Sequence, residues 1–320
     1  MKFILRALLG LSFAAVAGLS AAADFPTKPI RMVIPVTPGG PNDIMARTLQ
    51  PRLGALLGQS VVIENIPGAG GNLATTSIVR QPADGYNLIL HGMTYAVNPS
   101  IFGNTLSYKI DDLVPVSIVA KGPLVLVAHP SLGVKNVREL IAYIKGRGDG
   151  VDFASGGPGT SPHLAAELFK VMTGTKLQHI PYKGTSAFMP DLMAGRIPIA
   201  FVSPLVVKTY VESGQLIGLG VTGAKRAEGW NLPTIAEAGV PGYDFEAWYT
   251  VMTRASTPPD VVQKLNKVIN EALAAPDAQE KWKSLGVEVM PGTPQEAAVY
   301  VRSEFEKWAK VVKEAGIKAE

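Results

Sequence analysis

Short apolar runs alternate with segments whose apolar residues recur every three or four positions, and the alternation continues nearly throughout the chain. Short runs read as strands and the recurring segments as helices. Strands are predicted over Ile30–Val36, Ser60–Asn65, Tyr86–His91, Leu124–His129, Val151–Ser155, Leu177–Tyr182, Ile197–Val202, Leu216–Thr222 and Phe245–Thr253. Asn136-Val137-Arg138-Glu139 and Thr293-Pro294-Gln295-Glu296 are capping boxes that open helices. Ala297, Val301, Phe305, Trp308 and Val312 then form one apolar face of the last helix. The pattern predicts an α/β fold with mostly parallel sheets flanked by helices.

A second strand series starts at Pro123-Leu124-Val125-Leu126-Val127, after a crossing near Ala120-Lys121-Gly122. Regular alternation breaks after Thr222 and resumes in a long strand through Trp248 and Tyr249, which reads as the return crossing. The expected division is residues 24–122 plus 246–320 for one domain and 123–245 for the other.

The N-terminus has the build of an export signal. Lys2 and Arg6 precede an apolar stretch from Ala7 to Leu19, and Ala21-Ala22-Ala23 offers a cleavage site before Asp24. Removing residues 1–23 from the 320 leaves 297, enough for two cores. It also leaves 28 of the 30 basic residues against 26 acidic ones, a net charge of +2. That balance, with basic residues scattered over helix faces, gives nucleic-acid binding no support. The chain has no cysteine, so disulfides and thiolate metal sites are excluded, and no other cofactor or metal motif stands out. A monomer is expected, in the periplasm.

Four glycine-bearing turns each follow a strand and precede a helix: Thr37-Pro38-Gly39-Gly40-Pro41-Asn42-Asp43 before a helix at Ile44-Met45, Gly68-Ala69-Gly70-Gly71-Asn72, Ser155-Gly156-Gly157-Pro158-Gly159-Thr160-Ser161, and Lys183-Gly184-Thr185-Ser186. Such positions lie at the carboxyl ends of parallel strands, where open α/β folds place ligands. Helix N-termini there present unpartnered N–H groups and a positive dipole end, which suits an anion. Two turns fall in each domain, so a cleft would be lined from both sides. The bland reading is tight turns with helix caps, Ser161 before Pro162 being a good N-cap.

Gly68-Ala69-Gly70-Gly71-Asn72-Leu73 imitates a dinucleotide fingerprint without its last glycine. Ser155, Ser161 and His163 share one turn, but the Gly-x-Ser-x-Gly elbow is absent and no acid is placed to orient His163. A ligand hydrogen bond or a helix-surface role suits His163 better. His91, His129 and His179 read as structural. Trp248, and more weakly Tyr249, Tyr95 and Phe201, are candidate apolar walls, with Asn98 a candidate polar contact.

Ile34-Pro35-Val36-Thr37-Pro38-Gly39-Gly40-Pro41-Asn42-Asp43, Glu64-Asn65-Ile66-Pro67-Gly68-Ala69-Gly70-Gly71-Asn72, Pro82-Ala83-Asp84-Gly85-Tyr86, Pro181-Tyr182-Lys183-Gly184 and Pro233-Thr234-Ile235-Ala236-Glu237-Ala238-Gly239 occur in order. Together they resemble the Bug family of periplasmic solute-binding proteins, the receptors of tripartite tricarboxylate transporters. The resemblance implies a two-domain periplasmic binding protein fold that closes on a small carboxylate and hands it to integral membrane permease subunits. It implicates Thr37, Pro38, Gly39 and Gly40, facing Ser155, Gly156, Gly159, Thr160 and Ser161, with Gly70, Gly71 and Asn72 at the flank. Backbone N–H groups and ordered waters would hold the carboxylate. The chain departs from the family pattern at Arg196–Pro204 and at Thr250, so relatives do not fix its ligand. Alternatives are a sensory binding protein that docks on a membrane receptor and, less favoured, an exported hydrolase.

Overall fold

A computed structural model describes residues 25–317, so the expected export signal lies outside the described residues. The chain opens with β1 (Ile30–Ile34), α1 (Pro41–Leu57), β2 (Val61–Asn65), α2 (Asn72–Val79), β3 (Asn87–Gly92), α3 (Thr94–Phe102) and β4 (Leu113–Gly122). A second series follows: β5 (Val125–Ala128), α4 (Val137–Gly146), β6 (Val151–Ser155), α5 (Ser161–Thr173), β7 (Leu177–Pro181), α6 (Thr185–Met193), β8 (Ile199–Val202), α7 (Pro204–Glu212) and β9 (Ile217–Val221). The chain then returns through β10 (Ala247–Arg254), α8 (Pro259–Ala274), α9 (Pro276–Ser284), β11 (Glu288–Val289) and α10 (Pro294–Ala315).

Two sheets result, ordered β11-β4-β10-β3-β1-β2 and β7-β6-β8-β5-β9, and each anchors one lobe. The sheets are mixed rather than mostly parallel. In each, the two strands that precede glycine turns pair in parallel with each other and with one further strand: β2-β1-β3 and β7-β6-β8. The crossing strand β10 pairs antiparallel with β3 and β4, and β5 with β8 and β9. Parallel strands bring all their carboxyl ends to one edge, which is what assembles a site.

The strand β4 escaped the apolar pattern because Pro115 interrupts its run, and proline normally demotes a strand. Here the ladder shifts register between Val251 and Met252, opposite Ser117 and Pro115, so the proline sits at a bulge.

Helix faces follow the predicted periodicity. Val261, Leu265, Val268, Ile269, Ala272 and Leu273 of α8 are buried, as are Ala297, Val301, Trp308 and Val312 of α10. The α10 capping box forms, with Glu296 N–H donating to Thr293 Oγ1 and Thr293 N–H to Glu296 Oε2.

The crossings between lobes lie side by side and Thr222 ties them together. Its hydroxyl accepts the Leu124 N–H and donates to the Phe245 carbonyl, both at 2.7 Å. Its backbone bonds Leu124 and Phe245 as well. Lys121 reaches Glu246 at 3.2 Å and Glu288 at 3.5 Å beside this strap.

Candidate functional site

The four glycine turns meet between the lobes. Thr37 Oγ1 lies 2.6 Å from Ser186 Oγ, so the first turn touches the fourth across the cleft. Gly184 makes that approach possible: a Cβ there would fall 2.5 Å from Thr37 Oγ1, and its φ of +143° disfavours any side chain. The lobes touch here, beside a partly open cleft pocket of about 70 Å³. That is several times the room a single water requires, roughly 10–15 Å³ by the same measure.

Six helices point their N-termini at this cavity. Lining residues include Pro41 of α1, Gly71 ahead of α2, Thr94 of α3, Ser161 and Pro162 of α5, Thr185 of α6 and Ser203 ahead of α7. The first N–H groups of a helix lack intrahelical acceptors, and each dipole end is worth about 0.3–1 kcal/mol to an anion. The lining contains no Asp or Glu and one cation, Lys183. Tyr249, Val36, Met93 and Leu124 add apolar surface.

Of the expected residues, Gly70, Gly71, Gly156, Thr160 and Ser161 line the cavity. Thr37, Pro38, Gly39 and Gly40 do not; their flanks Pro35, Val36, Pro41 and Asn42 do so instead. The amides of the two glycines are already engaged within the turn. Gly39 N–H donates to Asp43 Oδ2 at 2.9 Å, and Gly40 N–H to the Thr37 carbonyl at 3.1 Å. Helix α1 begins at Pro41, three residues earlier than the pattern suggested, because proline is favoured at a first helical position.

Asp43 organises this turn from below. Its buried carboxylate also accepts from Arg47 at 3.0 Å and from Asn65 at 2.9 Å. Burial works to raise its pKa, but the hydrogen bonds from Arg47, Gly39 and Asn65 outweigh it and hold the carboxyl below its ordinary value. Asp43 is therefore a fixed, neutralised anion.

Ser155, Gly159 and His163 shape the third turn without lining the cavity. Ser155 Oγ accepts the Gly157 N–H at 2.9 Å and lies 2.5 Å from His179 Nε2. His163 is buried, neither at the helix surface nor on the cavity wall, and its Nδ1 accepts the Gly159 N–H at 3.1 Å. It stacks on His179 with ring centroids 4.2 Å apart. Burial first, then the nearby His179 and Lys170, depress its pKa to about 3. Thr160, not Ser161, caps α5, and its hydroxyl turns back to the Gly157 carbonyl. Asn72 lies behind Gly71, its Oδ1 accepting from Asn98 at 2.6 Å and from Tyr108 at 2.8 Å. Among the described residues no cluster suited to a metal ion occurs.

Trp248 is core. It is 1% exposed, donates from Nε1 to Glu304 Oε2 at 2.9 Å and meets Tyr300 edge to face. Its neighbour Tyr249 takes the cavity side, paired with Gly92 across the sheet. Successive strand residues face opposite ways, so only one of the pair reaches the cleft. Tyr95 and Phe201 are fully buried in the core too. Lining residues outside the expected contacts include Met93, Thr94, Leu124, Lys183 and Ser203. Lys183 had a signal, since it follows a strand at the same sheet edge as the other turns.

The model of the tripartite tricarboxylate transporter family receptor matches residues 45–317. The chain belongs to this family. The receptor is 37% identical to protein BugT of Bordetella pertussis, over 98% of both chains. Among solved structures it is similar to the periplasmic binding protein BugD, with TM-score 0.88 and 32% identity over 92% of this chain and 100% of that one. A second, an R. palustris protein with adipate, also has TM-score 0.88, at 36% identity, covering 93% of this receptor and all of that chain.

Proposed function

We propose that the protein is a periplasmic receptor that captures a small carboxylate, a diacid foremost, between its two lobes and delivers it to the permease of a tripartite tricarboxylate transporter. The observation that carries this reading is the convergence of six helix N-termini and Lys183 on a cleft pocket between the lobes without an acidic wall residue. Neutral donors and dipoles in a low-dielectric cleft suit carboxylate groups, and lobe closure keeps water from competing. The adipate held by a 36% identical relative of the same fold supports a diacid. On this reading the lobes divide at residues 122/123 and 245/246, the chain is exported by cleavage after residue 23, and no covalent chemistry takes place.

Mass spectrometry of ligand released by denaturing the purified protein, followed by calorimetry across mono-, di- and tricarboxylates, tests the proposal. A bound or binding carboxylate is expected. If no carboxylate in the panel binds, the reading fails. Uptake of the identified acid in a deletion strain separates transport from sensing: transport predicts lost uptake, sensing predicts normal uptake with lost induction.

A further inference from the structure

Besides the bond between Thr37 and Ser186, the second and third glycine turns meet across the lobes. A Cβ at Gly70 would lie 3.0 Å from the Pro158 carbonyl oxygen, and one at Gly159 would lie 2.9 Å from Ile101 Cδ1 and 3.1 Å from Asn98 Oδ1. Gly159 is therefore seated directly on α3 of the opposite lobe, in a contact without room for a side chain. Its φ of +74° is a left-handed conformation that glycine adopts freely. Gly156, Thr160 and Ser161 on either side of it line the pocket. Whatever fixes the Gly159 peptide thus fixes both the seat and this stretch of the wall.

His163 fixes it from behind. The side chain belongs to the first turn of α5, is 3% exposed and reaches back, so that Nδ1 accepts the Gly159 N–H at 3.1 Å. An accepting Nδ1 carries no proton, which places the proton of the neutral ring on Nε2, 4.0 Å from Glu167 Oε1. Glu167 is paired in turn with Lys170 at 2.6 Å. His179 and Phe153 stack on the ring with centroids 4.2 and 6.3 Å away. Burial, His179 and Lys170 hold the pKa at about 3, so Nδ1 remains an acceptor throughout the neutral range. Without it the Gly159 N–H would have to turn toward another partner, and that turn would move the seat.

We propose that His163 is a positioning residue for lobe closure: through the Gly159 peptide it sets the seat of the third turn on α3, and with it the time a ligand is retained. The inference rests on the receptor reading, since retention requires lobes that close on a ligand. It gives the ring two separable duties. The Nδ1 acceptor governs retention, and the stacked ring face governs the stability of its lobe.

Stopped-flow release and thermal melts of His163→Phe and His163→Asn test it, with the tightest-binding acid of a panel of succinate, adipate, citrate and benzoate. Phenylalanine keeps the stack and lacks the acceptor. Release should quicken about tenfold, one hydrogen bond's worth, with association within about twofold of wild type. Asparagine keeps an acceptor at the δ position and loses the ring, so it should melt lower than the phenylalanine variant yet release within about threefold of wild type. Release that follows the melting midpoint instead of the acceptor overturns the inference. Ile101→Ala removes the seat from the other lobe and should quicken release too, without adding to the effect of His163→Phe. Additive effects, or unchanged release in Ile101→Ala, overturn the inference, and the latter measurement stands even if His163→Phe fails to fold. Failure of the whole panel in the wild type overturns the proposed function and this inference with it.

Discussion

Thr37 Oγ1 and Ser186 Oγ, 149 positions apart in sequence, meet at 2.6 Å across the closed cleft. This bond exists only while the lobes are together, so it belongs to the closed state and not to the stability of either lobe. Thr37→Val keeps the shape and removes the hydroxyl. Ligand affinity should fall about three- to tenfold, with a melting midpoint within about 2 °C of wild type. Ser186→Ala should do the same, and calorimetry of the double variant should show losses that do not add.

Lys183 is the single charged side chain on the cavity wall, yet it is exposed, so its attraction is screened. Lys183→Met should weaken binding of a dicarboxylate about three- to tenfold. It should also flatten the decline of affinity with added salt, read from calorimetry at two ionic strengths.

The placement of Trp248 against Glu304, with Tyr249 on the cavity, separates folding from binding. Trp248→Phe leaves Glu304 short of one buried donor and should cost about 1–3 kcal/mol in a denaturant titration, with ligand affinity nearly unchanged. Tyr249→Leu should show the opposite balance. A well-folded Trp248→Phe protein that no longer binds ligand would contradict this assignment.

His91 is fully buried, accepts the Gly92 N–H at Nδ1 and faces Thr75 Oγ1 with Nε2 at 3.0 Å. Burial lowers its pKa to about 4, and the Gly92 contact does not reverse this. Above about pH 6.5 neither folded nor unfolded chain protonates this ring, and its contribution is fully present. As pH falls from there toward 4, the unfolded chain takes up a proton that the folded one refuses, and stability drops by about 3 kcal/mol. Thermal melts across this window should show the decline, and His91→Gln should flatten it while lowering the plateau.

Asp43 follows the complementary rule for a carboxyl held below its ordinary value. Its contribution is present above about pH 4 and is lost as pH falls further. Asp43→Asn should cost about 1–2 kcal/mol at neutral pH, discounted because Arg47 is half exposed. The gap to wild type should narrow in acid, which urea titrations at pH 7 and pH 3 would measure.

Much of the architecture was legible because it rests on local rules. The α10 capping box and the strands before each glycine turn follow from periodicity and turn chemistry. Two elements were not. Pro115 hid β4, since a bulge can excuse a proline only when a partner strand is there to bend around it. The two-residue β11 is too short to carry a pattern and exists because β4 offers an edge at Ala120 and Lys121.

At the proposed site, the sequence marked the turns that the fold brings together, because glycine and hydroxyl runs at strand ends are visible in one dimension. It could not determine which atoms of those turns remain free. The Gly39 amide is claimed by the Asp43 carboxylate and the Gly40 amide by the Thr37 carbonyl, so the acceptors nearest the first turn are its own residues. Nor could it choose between Trp248 and Tyr249, adjacent aromatics on one strand, until sheet pairing assigned each a face. The convergence of six helix N-termini depends on strand order in two separate sheets, and the seat of Gly159 on α3 depends on where the second lobe comes to rest. Local chemistry is written residue by residue; availability and direction are settled only when distant segments compete for the same hydrogen bonds.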